Sequence, residues 1–260
     1  MSDEFNEPFK QVVQEAGDNP NIIGLVLVGS RGKNFYRDYS DYDFSLIVIE
    51  DIKKKQRAKL EKFNENPNFD CNVLTLEDFK NYAEIGSEFE WDRYSFAWVK
   101  AVVDKTNGVL QKIIDEKGKI PEKILKGYIS GHLDAYINSV YRSLKCLRDG
   151  YILGYRMEAA GSIKYFLICA FAIHDRRISP YYKYLAFELE KYPLNKLPWT
   201  PKELTRKILA ILESGDYKIQ QELLIEMEKI MRKEGFGQVY DSWEGNETWT
   251  MFYEHTESAE

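Results

Sequence analysis

Apolar and polar residues follow different patterns in the two parts of the chain. Residues 21–28 (NIIGLVLV) and 44–49 (FSLIVI) are continuous apolar runs, which are typical of strands buried on both faces. Residues 68–75 (NFDCNVLT) and 98–104 also have strand composition. Helices are predicted at 7–16, at 52–64 and from residue 76. The first part of the chain therefore alternates helix and strand.

From about residue 120 onward, apolar residues recur at helical spacing. Pro121 is placed to start a helix, and Gly150 and Gly235 are placed to end two others. The segment 155–173 is apolar around most of its circumference, which predicts the central helix of this part. The predicted helices span residues 124–149, 155–173, 181–191, 201–213 and 216–234. The aromatic, glycine-rich tail from Phe236 fits either a final strand or a segment that covers a cleft.

Together these patterns predict an α+β fold with two domains. Residues 1–119 are expected to form a mixed sheet flanked by helices, and residues 120–260 an all-helical domain.

Composition narrows the class of protein. Hydrophobic residues make up 44% of the 260 residues, ample for a packed core, and the formal net charge is −6. Such an acidic chain is unsuited to holding an extended nucleic acid through its phosphates. No apolar stretch approaches the ~20 residues that cross a bilayer, and the acidic, polar start (MSDEFNEPFK) predicts no signal peptide. The three cysteines are odd in number and lie in apolar contexts, which predicts reduced thiols in a cytoplasmic protein. The three histidines lack ligand spacing, so no zinc site is expected.

The segment 28–43 (VGSRGKNFYRDYSDYD) carries the clearest candidate chemistry. Gly29-Ser30 ends an apolar strand in a small turn, where backbone N–H groups can approach a phosphate. Asp41 and Asp43 stand at the start of the next strand, and residues i and i+2 of a strand point the same way. Two carboxylates beside such a turn suit a divalent cation that carries a nucleotide. The alternative is ordinary turn chemistry, in which aspartates bond nearby backbone.

The segment resembles the signature of the nucleotidyltransferase superfamily, the DNA polymerase β-like fold. That signature is a hydrophobic strand, Gly-Ser, a loop of about this length and then Asp-hydrophobic-Asp. It is matched position by position by Gly29, Ser30, Asp41, Tyr42 and Asp43. More loosely, an α/β part followed by a helical bundle resembles the layout of the aminoglycoside and lincosamide adenylyltransferases. The resemblance implies a catalytic domain over 1–119 and a substrate-binding domain over 120–260.

The resemblance also implies a third carboxylate on a later strand. Asp70 is the only acid in the predicted strand 68–75, and its alternative is a solvating charge on an edge strand. Thr75 and Asp78 after this strand are placed to cap a helix, so Asp78 and Glu77 are expected to be helix-start acids.

The implied reaction transfers AMP from ATP to a hydroxyl of a small molecule and releases pyrophosphate. By resemblance, Asp41, Asp43 and Asp70 would hold two Mg²⁺ ions, while Gly29 and Ser30 would bind the β- or γ-phosphate. Arg31 would reach the triphosphate or, equally, be a surface loop arginine, and Lys33 and Arg37 are weaker candidates of the same kind.

The helical part offers two further candidates by resemblance. Glu158 would take the proton of the acceptor hydroxyl, unless it is only an exposed first-turn acid favoured by the helix dipole. Lys183 would contact the triphosphate, unless it is only a solvated helix-start lysine. Together with Arg176 and Arg177, Lys183 is expected to form a locally basic cluster.

Several alternatives stay open. The acceptor is an aminoglycoside- or lincosamide-like antibiotic or a metabolite, and its identity is not encoded in any motif. A toxin–antitoxin-type enzyme that modifies a protein or tRNA is the alternative function, and a catalytically silent nucleotide-binding module is a third. The protein is expected to be a monomer or a homodimer.

Overall fold

The computed structural model describes residues 6–256, which separate into two compact units that meet in the chain between Ile120 and Pro121. The acidic start of the chain, expected not to be a signal peptide, falls partly on residues 1–5, outside the described residues. Within residues 6–256, no helix combines the length and the apolarity that a membrane crossing requires.

The first unit is built on a four-stranded mixed sheet. Its strands are β1 (Ile22–Leu27), β2 (Tyr42–Val48), β3 (Phe69–Leu74) and β4 (Ala101–Asp104). Their order is β3-β2-β1-β4, with β2 and β3 parallel and the other two pairs antiparallel. The helices are α1 (Glu7–Asp18), the single turn α2 (Gly29–Gly32), α3 (Glu50–Asn64), α4 (Leu76–Asn81) and α5 (Val109–Lys117), with a 3₁₀ segment at Glu90–Phe96.

Both faces of this sheet are covered by helices. On one face, Phe9 of α1 packs with Tyr42, Phe44 and Phe69, and α3 lies against β3. On the other face, Ile47 of β2 belongs to a second cluster, contributed by α4, the turn after it, the 3₁₀ segment and α5 (Phe79, Ala83, Phe96, Leu110, Ile114). Successive residues of β2 therefore point alternately into two cores, as the uninterrupted apolar run predicts.

The predicted strands are confirmed, with one shortened. β4 begins at Ala101 rather than at residue 98, because Trp98 has a positive φ of 66°, outside the strand region. The helix start after β3 is also confirmed: the Thr75 hydroxyl accepts from the Asp78 N–H, and the Asp78 carboxylate accepts from the Thr75 N–H. Helix α5 was not predicted; at its start the Thr106 hydroxyl accepts from the Leu110 N–H at 2.8 Å and the Asp104 carboxylate accepts from the Gln111 N–H at 3.2 Å.

The second unit contains only helices among its described residues. They are α6 (Glu122–Arg148), α7 (Ile152–Ala172), α8 (Leu185–Lys191), α9 (Pro201–Ser214), α10 (Tyr217–Lys233), α11 (Gly237–Asp241) and α12 (Asn246–Phe252), with a 3₁₀ turn at Tyr182–Tyr184. The short connection between α6 and α7 makes them neighbours along their length. Every residue from Phe166 to Ala172 of α7 is buried, so the prediction of a central helix is confirmed. The mixed sheet followed by helices confirms the predicted α+β class.

The tail corrects one interpretation. It forms the helices α11 and α12 on α6 and α10, so a final strand is wrong. Gly245 starts α12 in the left-handed region, and the buried Gln221 amide donates to the carbonyls of Thr250 (3.0 Å) and Tyr253 (2.8 Å). These contacts bind the end of α12 to α10.

Candidate functional site

The turn after β1 brings Gly29 against Asp43. The Val28 N–H donates to the Asp43 carbonyl at 2.8 Å, which joins the turn to the start of β2. Gly29 has a φ of +62°, and a Cβ at this position would lie 2.2 Å from the Asp43 Oδ2 atom. An L side chain is therefore excluded twice, by backbone conformation and by the carboxylate. Ser30 follows as a buried residue, 8% exposed, at the start of α2.

The parallel pairing of β2 and β3 places Asp43 directly beside Asp70. Neighbouring strands lie about 4.8 Å apart, and paired residues of parallel strands project from the same face. Asp43 and Asp70 lie on the same face of the sheet as Ile47 and Leu74. They stand at the N-terminal ends of β2 and β3, where Asp43 is half-buried and Asp70 is exposed. The structure thus brings these two predicted site residues together.

Aromatic packing on the opposite face fixes this register. The Tyr42 ring stacks on Phe69 with 5.3 Å between centroids and lies 4.8 Å from Phe9. The Tyr42 hydroxyl accepts from the Asn6 N–H at 2.9 Å. Because Tyr42 and Phe69 are the residues next to Asp43 and Asp70, locking their rings in the core holds both carboxylates on the other side of the sheet.

Asp41 is exposed and precedes β2. We refer to Asp41, Asp43 and Asp70 as the carboxylate edge. Residues 6–256 contain no group of three or more His, Cys, Asp or Glu side chains arranged to hold a metal ion, so these three acids are not preassembled around one position. The pair Asp43 and Asp70 nevertheless fits Mg²⁺, which binds through one or two carboxylates together with substrate phosphates and waters.

The Arg31 guanidinium binds main-chain carbonyls of the loop that leads to the carboxylate edge. Its Nε donates to the carbonyls of Ser40 (2.9 Å) and Asp41 (3.0 Å), and its Nη2 donates to Ser40 (2.7 Å). The guanidinium also lies 3.9 Å above the Tyr42 ring and 4.8 Å above Tyr36. In this structure, Arg31 holds the backbone on which Asp41 stands.

Lys33 is a structural residue that the sequence interpretation placed near a phosphate. It is 3% exposed, and its ammonium donates to the carbonyls of Tyr94 (2.8 Å), Ser95 (3.1 Å) and Ala97 (2.6 Å). The lysine therefore joins the end of α2 to the segment before β4. Only the burial of a charged residue, which no local pattern reveals, distinguishes it from a surface lysine.

Two groups near β3 have shifted pKa values with structural causes. The Lys53 ammonium, 2.6 Å away, and the Thr75 N–H and hydroxyl lower the pKa of Asp78 to about 2. Burial, followed by the negative charge of Asp70, raises the pKa of the Cys71 thiol to about 11. Asp78 is thus a cap, as predicted, and the Cys71 thiol stays protonated at neutral pH.

Glu158 lies in α7, half-buried, in an ion pair with Arg142 of α6. Arg156, which lies two residues before Glu158, donates to the Glu213 carbonyl at the end of α9. The ion pair of Glu158 with Arg142 joins two neighbouring helices. It could be predicted only if the packing of α6 against α7 were known.

Lys183 is exposed in the turn Tyr182–Tyr184, with its ammonium 4.9 Å above the Tyr184 ring. The expected basic cluster around it is wrong. Arg177 is buried and donates to Glu188 at 2.9 Å and to the Tyr192 carbonyl at 2.8 Å, and Arg176 lies 3.4 Å from Glu122. Both arginines therefore interact with carboxylate or carbonyl groups of the second unit.

Comparison with known proteins gives little information about the function of this chain. No family model and no curated protein matches the chain. Among solved structures, the chain is similar to a nucleotidyltransferase-like protein from Exiguobacterium sibiricum 255-15. The two share 9% sequence identity and a TM-score of 0.41, over 90% of this chain and 77% of the other. A similarity this distant does not bear on function.

Proposed function

We propose that this protein is a metal-dependent nucleotidyltransferase that moves AMP from ATP to a hydroxyl of a small molecule and releases pyrophosphate. The observation that carries the proposal is the position of Asp43, beside Asp70 in the strand register and against Gly29 of the turn. A phosphate-sized turn and paired carboxylates at one sheet end are the parts that such a reaction requires.

In the proposed reaction, the acceptor oxygen forms a bond to the α-phosphorus and the bond from that phosphorus to the pyrophosphate oxygen breaks. The proton of the acceptor hydroxyl passes to a base. Asp41, Asp43 and Asp70 would hold two Mg²⁺ ions, which would neutralise the charge that develops on the leaving oxygen. The Ser30 hydroxyl and the N–H groups of its turn would donate to the β- or γ-phosphate.

The second unit would supply the remaining groups. Glu158 is the proposed base, a role in which its pair with Arg142 would have to open. Lys183, exposed and without a carboxylate partner among the described residues, is the proposed phosphate contact. Arg31 would act indirectly: its hydrogen bonds to the Ser40 carbonyl would keep the loop that carries Asp41 in position beside the nucleotide.

An aminoglycoside- or lincosamide-like antibiotic or a metabolite is the proposed acceptor. The formal net charge of −6 is compatible with a positively charged acceptor.

The experiment is to incubate the protein with each nucleoside triphosphate, Mg²⁺ and a panel of hydroxylated antibiotics, and to follow pyrophosphate release and acceptor mass. A gain of AMP mass on one small molecule supports the proposal. Labelled protein or tRNA would instead support the toxin–antitoxin-type alternative, and nucleotide binding without transfer would support a silent module.

Variants separate the site from the fold. Asp43→Asn and Asp70→Asn should each lower transfer by about 10²-fold or more, because a charge that stabilises the transition state is removed. Asp18→Asn, at an exposed acid near the end of α1, is the matched control and should leave transfer unchanged. Near-normal activity in either site variant would refute the assignment.

A further inference from the structure

A groove between α7, α8 and α9 of the second unit has a volume of about 360 Å³. All but three of its lining side chains are aliphatic, and Leu167, Leu185 and Ile208 form part of its floor and walls. At its edge, Leu209 and Leu212 remain 49% and 52% exposed. Pockets of 300–1,000 Å³ with mainly apolar linings are typical sites for small ligands.

The polar side chains of the groove favour an anion. Thr205 is already used, because its hydroxyl donates to the Pro201 carbonyl at 2.8 Å. The exposed Lys164 and Tyr182 remain, and across residues 6–256 the Lys164 ammonium has neither an ion pair nor a hydrogen bond. None of the described side chains that line the groove is acidic.

Lys164 and Tyr182 also line a second, adjoining hollow of about 370 Å³, together with Tyr128, Tyr181 and Pro180. The unpaired ammonium therefore stands where an aliphatic groove meets a more aromatic one. An aliphatic chain placed in the first groove would bring a charged head group to this border.

We propose that the groove binds an amphiphile with one aliphatic chain and one anionic head group, a carboxylate in its simplest form. The chain covers Leu209 and Leu212 and removes their apolar surface from water. The head group pairs with Lys164 and accepts from the Tyr182 hydroxyl. This site is independent of the proposed function, since binding is measured without nucleotide.

The test is isothermal titration calorimetry of the whole protein with octanoate, decanoate, decanol and decyltrimethylammonium, each below its aggregation concentration. Affinity should increase about fourfold for each methylene from octanoate to decanoate, from the transfer free energy of a buried methylene. Decanoate should bind about threefold more tightly than decanol, the value of a solvent-exposed ion pair. The cationic amphiphile should bind most weakly.

Two variants assign the groove, and both replace exposed side chains, so the fold is retained. Lys164→Gln should remove the preference of decanoate over decanol, and Leu212→Gln should weaken both ligands. Their controls are Lys202→Gln on α9 and Leu153→Gln on α7, which is 75% exposed and outside the groove; both should bind as the parent does. Absence of saturable binding, or equal binding of all three head groups, would overturn the proposal.

Discussion

The carboxylate edge of the first unit and the charged residues of the second unit are positioned by different means. Asp43 is placed by main-chain contacts: the Val28 N–H on its carbonyl, the Gly29 backbone against its carboxylate and the register with Asp70. Glu158 and Arg177 are instead placed by side-chain partners on other helices, Arg142 and Glu188.

The difference decides which roles a local pattern can indicate. A strand, a tight turn and a second strand repeat their geometry wherever the residue types recur, because backbone hydrogen bonds set it. The role of a charged residue on a helix can be inferred only when the residues packed against it are known.

Glu188→Gln should be the most destabilising substitution. Glu188 and Arg177 are buried, with side-chain exposures of 2% and 11%, so the variant leaves a guanidinium without its counter-charge. The expected loss in free energy of unfolding is about 3–5 kcal/mol, measured by urea denaturation with circular dichroism of the helices. Asp149→Asn, which breaks the exposed pair with Arg148, is the control and should cost far less than Glu188→Gln. A similar loss in free energy of unfolding for both variants would show that the buried pair of Glu188 and Arg177 stabilises the second unit no more than an exposed pair does.

Gly29→Ala should affect the first unit through the backbone. The left-handed φ of Gly29 costs an L residue about 1–2 kcal/mol, and the added Cβ would displace the Asp43 carboxylate. We expect that loss of stability together with a fall in proposed transfer activity of about 10²-fold, as for a misplaced catalytic group. Gly17→Ala in α1 should instead stabilise the protein slightly, because open space surrounds that position. Retained activity in Gly29→Ala would show that the close approach is not needed.

The sequence was informative where the physics is local. Buried and less buried residues alternate along β3, as a strand requires, which leaves Asp70 on the less buried face, and the Thr75 and Asp78 pattern correctly marked the start of α4. The pairing of β2 with β3 in parallel, which puts Asp70 beside Asp43, was accessible only through a family resemblance.

The sequence was not informative where distant residues decide the environment. Lys33 and Arg177 look like surface cations, but carbonyls about 60 residues away surround Lys33 and Glu188 neutralises Arg177. In both cases the deciding contact joins segments whose proximity depends on the fold. Helix α5 was missed for a different reason. Its caps are local, since the Thr106 hydroxyl and the Asp104 carboxylate accept from the Leu110 and Gln111 N–H groups, but both residues precede Gly108, so the N-cap position itself carries no cap side chain.

Arg31→Lys tests whether a positioning residue can be distinguished from a phosphate ligand. Lysine keeps the charge but loses the planar fork that joins the carbonyls of Ser40 and Asp41. We expect kcat to fall by about tenfold for one weakened positioning contact, with the KM for nucleotide little changed. Hydrogen exchange of the loop 33–41 should become faster. The control is Arg57→Lys, at an exposed arginine of α3, which should leave kcat, KM and loop exchange unchanged. A raised nucleotide KM with unchanged kcat and loop exchange would make Arg31 a phosphate ligand instead.

Asp78→Asn should give the smallest effect, and it depends on pH. The pKa of Asp78 is about 2 in the folded protein, below its ordinary value of 3.8, because Lys53 and Thr75 favour the charged carboxylate. The folded state therefore binds fewer protons than the unfolded state between these values. The contribution is complete above about pH 4 and is lost as the pH falls toward 2.

The variant should show a shallower fall in urea midpoint between pH 5 and pH 2 than the parent. Because the ion pair is partly exposed, the difference at neutral pH should be below about 1 kcal/mol. Glu77→Gln, in the same first turn but not the acceptor of the cap, should follow the parent curve. High salt should reduce only the share contributed by Lys53, since screening acts on the ion pair and not on the bonds from Thr75. An effect that persists fully in salt would therefore assign the shift to the helix cap, a local feature that the sequence already indicates.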